Sequence, residues 1–227
     1  NVAIYEDGHE YCFTPGCNYR KPSTGIMPTP TLSTPQEIEP AFGDYVDIKS
    51  RRIPSDSNKF FGYFKGRHGN ESAYFWPIYD DQRRLVGYKI RKKNKQFLMQ
   101  GSNPDNRFLG QEKWGDGGKL LVIFEGEYDC LSYHAVRKNW PCVSLPNGVE
   151  SGQKVIKAQL PWLLKFEQVI LCYDNDEHGQ SAVQRDIQLL PPRKGKVGTL
   201  ASYKDANEAL IANDHKAMTV SSMLLIY

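Results

Sequence analysis

The 227-residue chain has no apolar run near the eighteen or so residues of a membrane span. Its polar start, NVAIYEDGHE, lacks both the charged and the apolar regions of a signal peptide. A soluble, unsecreted protein without a membrane partner is predicted. Asn1, in place of an initiator Met, predicts a fragment of a longer protein. Five cysteines are an odd number, which argues against a disulfide framework. Cys130, Cys142 and Cys172 lie in apolar stretches and read as small hydrophobes. The net charge of +3 is too small to indicate a polyanionic partner by itself. No GxxxxGK[ST] pattern occurs, so no helicase motor is expected within residues 1–227, although one would follow Tyr227 in a fused protein.

What is present suffices for a core, with 40% hydrophobic residues. Residues 1–20 carry His9, Cys12 and Cys17; residues 21–40, rich in Pro, Ser and Thr, read as an extended linker. From residue 41 to 116 the runs FFGYF, AYFWPIY, LVGYKIRKK and QFLM, with the turn DDQRR among them, predict a small antiparallel sheet. From 117 to 227 apolar strands alternate with helical stretches, which predicts an α/β fold with a mostly parallel sheet flanked by helices. The apolar end SSMLLIY reads as a final strand or as a lead into further chain.

The strand KLLVIF ends in Glu125, Glu127 and Asp129, QVILCY ends in Asp174 and Asp176, and the strand near 196–200 is followed by Asp205. Open α/β sheets place ligands beyond the carboxyl ends of their strands, so these acids are expected to face one pocket. Two like charges about 4 Å apart repel by roughly 4 kcal/mol at an effective dielectric near 20. A neutralising cation is therefore expected, and hard oxygen donors select Mg²⁺ or Mn²⁺. Each cluster also has a purely structural reading. Acids are favoured in the first turn of a helix, Asp176 can cap the helix that follows, and Asp205 with Glu208 has the form of a capping box. Capping alone does not require acids at the same end of three strands.

Residues 83–95 hold seven basic residues and no acid. Such a run is usually a solvated face. On a strand, however, Lys89, Arg91, Lys93 and Lys95 share one side and form a cationic stripe suited to phosphates, with Lys92 on the other side.

EGEYD, DND and KDAN, in that order, resemble the Toprim module of bacterial-type primases, topoisomerases and related nucleases. YKIRKKNKQF, GSNPDNRFLGQEKW, GGKLLVIFEGEYDCLS and FEQVILCYDNDEHG resemble, over roughly residues 50–215, the RNA polymerase domain of the fused phage primase-helicases. That family includes mitochondrial Twinkle and is related to DnaG-type primases. The resemblance implies a Rossmann-like Toprim fold and a DNA primase that synthesises short RNA primers on a single-stranded DNA template from nucleoside triphosphates. By resemblance, Glu125, Asp174 and Asp176 hold Mg²⁺ or Mn²⁺, with Asp205 supporting them. Glu127 and Asp129 orient these acids or support the fold, and Gly126 permits the tight strand-to-helix turn. Lys89, Arg91, Lys93 and Lys95 match positions that contact the incoming nucleotides.

EDGHEYCFTPGC resembles the second half of the family's zinc-binding hairpin. Structural zinc needs four ligands. Only Cys12 and Cys17 are available, in a C-x4-C spacing that departs from the family's C-x2-C, with His9 as a neighbour. The hairpin is either a zinc site whose first pair lies upstream or a degenerate site without metal. With that half incomplete, weak or absent template-specific priming is expected of residues 1–227 alone. A replicative helicase domain and a DNA polymerase are the expected protein partners, and a phage-infected cytoplasm or an organelle the expected location. Two alternatives differ in class: a catalytically silent Twinkle-like DNA-binding module and a Toprim nuclease. The intact EGExD, DxD and KDAN favour the enzyme, and the basic block argues against the nuclease.

Overall fold

The computed structural model describes residue 38 and residues 41–93, 96–102, 106–200 and 202–219, with the backbone course of short strands at 2–4, 10–12, 20–21 and 224–226. The chain divides into two compact units, Asn1–Gln36 and Glu37–Tyr227. In the first, β1 (Val2–Ile4), β2 (Glu10–Cys12) and β3 (Arg20–Lys21) form an antiparallel sheet in that order. Cys17 and His9 lie outside the described residues, and Cys12 is described only as the backbone end of β2.

The second unit opens with β4 (Gly43–Asp44) and the helix α1 (Ser55–Phe61), followed by β5 (Phe64–His68), β6 (Glu71–Tyr79), β7 (Leu85–Lys92) and β8 (Phe97–Gly101). The strands form one antiparallel sheet in sequential order. The run FFGYF, expected as a strand, is divided: Phe60 and Phe61 close α1, and Phe64 opens β5. Gly62 makes the division. Its φ of 73° is open to glycine at little cost, and its N–H reaches back to the Asn58 and Lys59 carbonyls, ending the helix.

The remaining elements are β9 (Gly118–Phe124), α2 (Glu127–Val136), β10 (Cys142–Ser144), β11 (Pro146–Val149), α3 (Gly152–Leu163), β12 (Phe166–Cys172), α4 (Glu177–Ile187), β13 (Gly195–Thr199), α5 (Ala206–Ile211) and β14 (Leu224–Ile226). The second sheet has the order β10-β9-β12-β13-β14, with the first four strands parallel and β14 antiparallel to β13. Both faces are covered, as a parallel sheet requires. Leu120, Val122 and Phe124 of β9 join one core, and Leu121 and Ile123 join the other. The first core also takes in Ile48, Phe61 and Trp76, so the antiparallel part and the parallel sheet are packed through one continuous apolar cluster. Cys130, Cys142 and Cys172 are buried free thiols within it. Among the described residues no helix is long and apolar enough to cross a membrane.

Candidate active site

The strand order sets the site. From β9 the chain passes through α2 to β10 on one side, and the following strand β12 lies on the other side of β9. The carboxyl ends of β9 and β12 therefore border the crevice where the winding reverses. Phe124 and Cys172 are register partners, so the residues that leave the two strands, Glu125 and Tyr173-Asp174, emerge side by side. The Asp174 N–H lies 3.4 Å from Glu125 Oε2. Burial, then repulsion from Asp174 and Asp176, raises the Glu125 carboxyl from 4.5 to about 6. Asp174 is raised by burial and by Asp205, with Lys204 opposing.

The capping readings are met as well. Asp176 caps α4 by accepting from Gly179 N–H at 2.9 Å. Asp205 caps α5 by accepting from Glu208 N–H at 2.7 Å, while Glu208 Oε2 accepts from Lys204 N–H at 2.8 Å. Capping and convergence coexist, because each cap uses a single carboxylate oxygen and leaves the other available. Gly179 has a reason beyond the cap: a β-carbon there would collide with the Asp174 carbonyl. Gly126, expected to permit a tight turn, has extended angles that any residue adopts (φ −116°, ψ 159°). Its small size instead keeps clear of Asp129, whose Oδ2 would lie 3.0 Å from an added β-carbon.

The first turn of α2 is fixed on three sides. Glu127 pairs with Lys89 of β7, Oε1 to Nζ 2.5 Å, both residues only 8% exposed. Two guanidinium groups pack on the Tyr128 ring, Arg51 at 5.0 Å and Arg91 at 4.4 Å from its centroid. Asp129 accepts from the Asn207 backbone N–H at 3.1 Å. Burial, then Asp205 and Asp174, push the Asp129 carboxyl well above the usual carboxylate range. Asn207 completes the joint through its side chain, which donates to Arg51 O and Ser132 Oγ and accepts from Arg51.

The basic stripe is shorter than its sequence spacing implies. Lys89, expected among the nucleotide-binding cations, is buried and donates to Pro146 O at 2.7 Å besides pairing with Glu127, which ties β7 to α2 and β11. Arg91 is half-buried against the rings of Tyr128 and Phe97. β7 ends at Lys92, so Lys93 sits in the following turn and is exposed. Lys95 lies outside the described residues. Lys92, expected on the other face, pairs with Glu71 at 3.3 Å and borders the same basin as Arg91. Arg51, Lys65, Arg91, Lys92, Lys93 and Tyr128 line an open basin, a strongly cationic surface beside the start of α2.

Sequence reasoning missed Lys204, although the quoted KDAN motif contains it. Its Nζ lies 3.5 Å from Asp174 Oδ2 and 3.0 Å from Asp176 Oδ2. Two acidic neighbours from another loop leave no trace in local spacing. The donor set is carboxylate oxygen, with mutual repulsion that one half-exposed ammonium offsets only in part, which fits a hard divalent cation. Among the described residues no three Asp, Glu, His or Cys side chains form a ready-made metal-ligating group. The acids stand as neighbours, with an ammonium between two of them.

The fold and site define a class, a Toprim module joined to an antiparallel α+β domain. Residues 122–210 match the Toprim-like family, and residues 43–101 match the bacteriophage T7 DNA helicase/primase N-terminal α+β fold. The DNA helicase/primase of Enterobacteria phage T3 is 32% identical over 230 residues, covering 95% of this chain and 40% of the T3 protein; the chain thus spans well under half of that relative. The crystal structure of the primase fragment of the bacteriophage T7 primase-helicase superposes with a TM-score of 0.75 at 29% identity, covering 96% of this chain and 91% of that one. A structure of the T7 lagging-strand DNA polymerase interacting with primase domains bound to an RNA/DNA hybrid and dTTP contains a chain 31% identical, with a TM-score of 0.74, covering 78% of this chain and 90% of that one. The chain belongs to the Toprim-containing primase family of the phage primase-helicases, and Toprim proteins are generally metal-dependent.

Proposed function

We propose that this chain is the catalytic part of a DNA primase, making short RNA primers on single-stranded DNA from nucleoside triphosphates. One observation carries the reading: a single helical turn, Glu127-Tyr128-Asp129, adjoins both features, with Tyr128 lining the cationic basin against Arg91 and Asp129 lining a pocket with Asp174 and Asp205. An anionic ligand in the basin would thereby lie near the acids without passing through them.

Glu125, Asp174 and Asp176 would hold Mg²⁺ or Mn²⁺, with Asp205 in support. Such ions lower the pKa of an attacking hydroxyl and neutralise charge developing on a leaving phosphate. Arg91 and Lys93, with Lys95 by its sequence position, would bind the triphosphates. Arg91, packed against the rings of Phe97 and Tyr128, would offer its planar fork to a phosphate. In the reaction the 3′-hydroxyl of one nucleotide attacks the α-phosphate of the next; the new O–P bond forms as the bond to pyrophosphate breaks. Lys89 and Asn207 would keep Glu127 and Asp129 in place.

Residues 1–20 are read as half of a zinc-binding domain, with Cys12 and Cys17 as ligands if an upstream pair completes the site. Residues 21–40 are read as the linker, 41–116 as the amino-terminal part of the polymerase domain and 117–227 as the Toprim part. The T3 and T7 relatives support a helicase domain beyond Tyr227, a DNA polymerase as a partner, and an infected host cell as the place of action. The test is incubation with labelled nucleoside triphosphates, single-stranded DNA and Mg²⁺ or Mn²⁺. Oligoribonucleotides are expected; cleavage of the DNA, or binding alone, overturns the reading.

A further inference from the structure

We propose that Lys204 is a resident counter-cation: its ammonium holds Asp174 and Asp176 in the metal-free protein and is displaced when a divalent ion enters. This rests on the metal site proposed above. The geometry separates a fixed backbone from a free head group. The Lys204 carbonyl accepts from Asn175 N–H at 2.7 Å, between the two acids, and its N–H donates to Glu208. The first bond joins the loops after β12 and β13 and the second fixes Lys204 to the start of α5, whatever the side chain does. The side chain is 48% exposed, and its ammonium meets Oδ2 of both aspartates. Asp176 Oδ1 is already committed to the α4 cap, so the oxygen facing Lys204 is the one left for a metal.

Around the ammonium stand Asp174, Asp176, Asp205 and, behind them, Glu125 and Asp129. Without a cation these groups repel, and a monovalent side chain is a weaker neutraliser than a divalent ion. Lys204 thus stabilises the empty site and competes for it. Displacement needs only side-chain rotation into solvent, and the freed ammonium remains within reach of any phosphate that the ion draws in.

The test measures metal binding directly, without nucleotide or template. Mn²⁺ is titrated into the 227-residue chain and its Lys204→Gln and Lys204→Arg variants, with free Mn²⁺ read by electron paramagnetic resonance. Lys204→Gln should bind Mn²⁺ more tightly, on the order of threefold to thirtyfold, the range two partly exposed ion pairs support. Lys204→Arg, which keeps the charge, should remain near the parent. In the unmodified chain, saturating Mn²⁺ should make the Lys204 amine acylate faster, read by mass spectrometry; this arm does not depend on any variant folding. Unchanged or weaker Mn²⁺ binding in Lys204→Gln, or acylation indifferent to Mn²⁺, overturns the proposal. A chain that shows this competition yet makes no primers overturns the primase reading alone.

Discussion

Lys89 of β7 and Glu127 of α2 form a buried ion pair that joins the antiparallel sheet to the helix carrying the first acidic motif. Its worth is best judged by what each partner would leave behind. Lys89→Met strands a carboxylate with no cation at a nearly dry position, which costs about 3–5 kcal/mol. Replacing both, Lys89→Met with Glu127→Leu, should recover most of that loss. Urea unfolding of the two single variants and the double one measures the coupling, and additive losses would mean that the pair does not act as a unit.

Glu125 makes stability depend on pH in the metal-free chain. Its carboxyl titrates near 6 when folded against an ordinary 4.5. The folded state therefore holds this proton more tightly than the unfolded state. The contribution is fully present below pH 4.5 and is lost as pH rises through about 6. Partial exposure trims its size to about 1 kcal/mol. In chelator at pH 7.5, Glu125→Gln should melt about 2–4 °C higher than the parent, and the gap should close by pH 4.5. A lower melting temperature at both pH values would contradict the sign.

Two glycines near the acids should differ in tolerance. Gly179→Ala pushes a methyl group into the Asp174 carbonyl, backbone that cannot move without dragging the acid. It should cost about 1–3 kcal/mol and suppress activity. Gly126→Ala meets only the end of the Asp129 side chain and should be milder on both counts. Melting curves and primer yield compare them, and equal damage would show that close approach is not the cause.

Arg91 is a half-buried cation of the basin, and Arg91→Ala should weaken binding of single-stranded oligonucleotide or nucleotide. If one phosphate contact on a single strand is lost, the slope of log affinity against log salt should fall by about 0.7. Fluorescence anisotropy across a salt series reads it. Lys92→Ala, whose ammonium is committed to Glu71, should change affinity less.

Much of this arrangement was legible because it is written in local order. Apolar strands ending in acids predict where those acids must lie in a parallel sheet, and Glu125 and Asp174 follow the paired strand ends Phe124 and Cys172. What was misread depends on three dimensions. Alternation and resemblance put Lys89 in the cationic stripe, but neither shows its burial against Glu127, which joins β7 to α2. The aromatic run at 60–64 looked extended, but Gly62 ends a helix inside it. Lys204 and Asn207 gain their roles from partners 28 and more residues away, which no spacing rule reports.

The central claim is that the acids at the β9 and β12 ends perform metal-dependent nucleotidyl transfer. Its most direct measurement is primer synthesis by the chain and by Asp174→Ala, with labelled ribonucleotides, single-stranded DNA and Mn²⁺ or Mg²⁺. The account predicts short oligoribonucleotides from the parent and none from Asp174→Ala, whose melting temperature in chelator stays at or above the parent's because a repelling charge is gone. Primers from both proteins, or from neither while the DNA is cut, would contradict it.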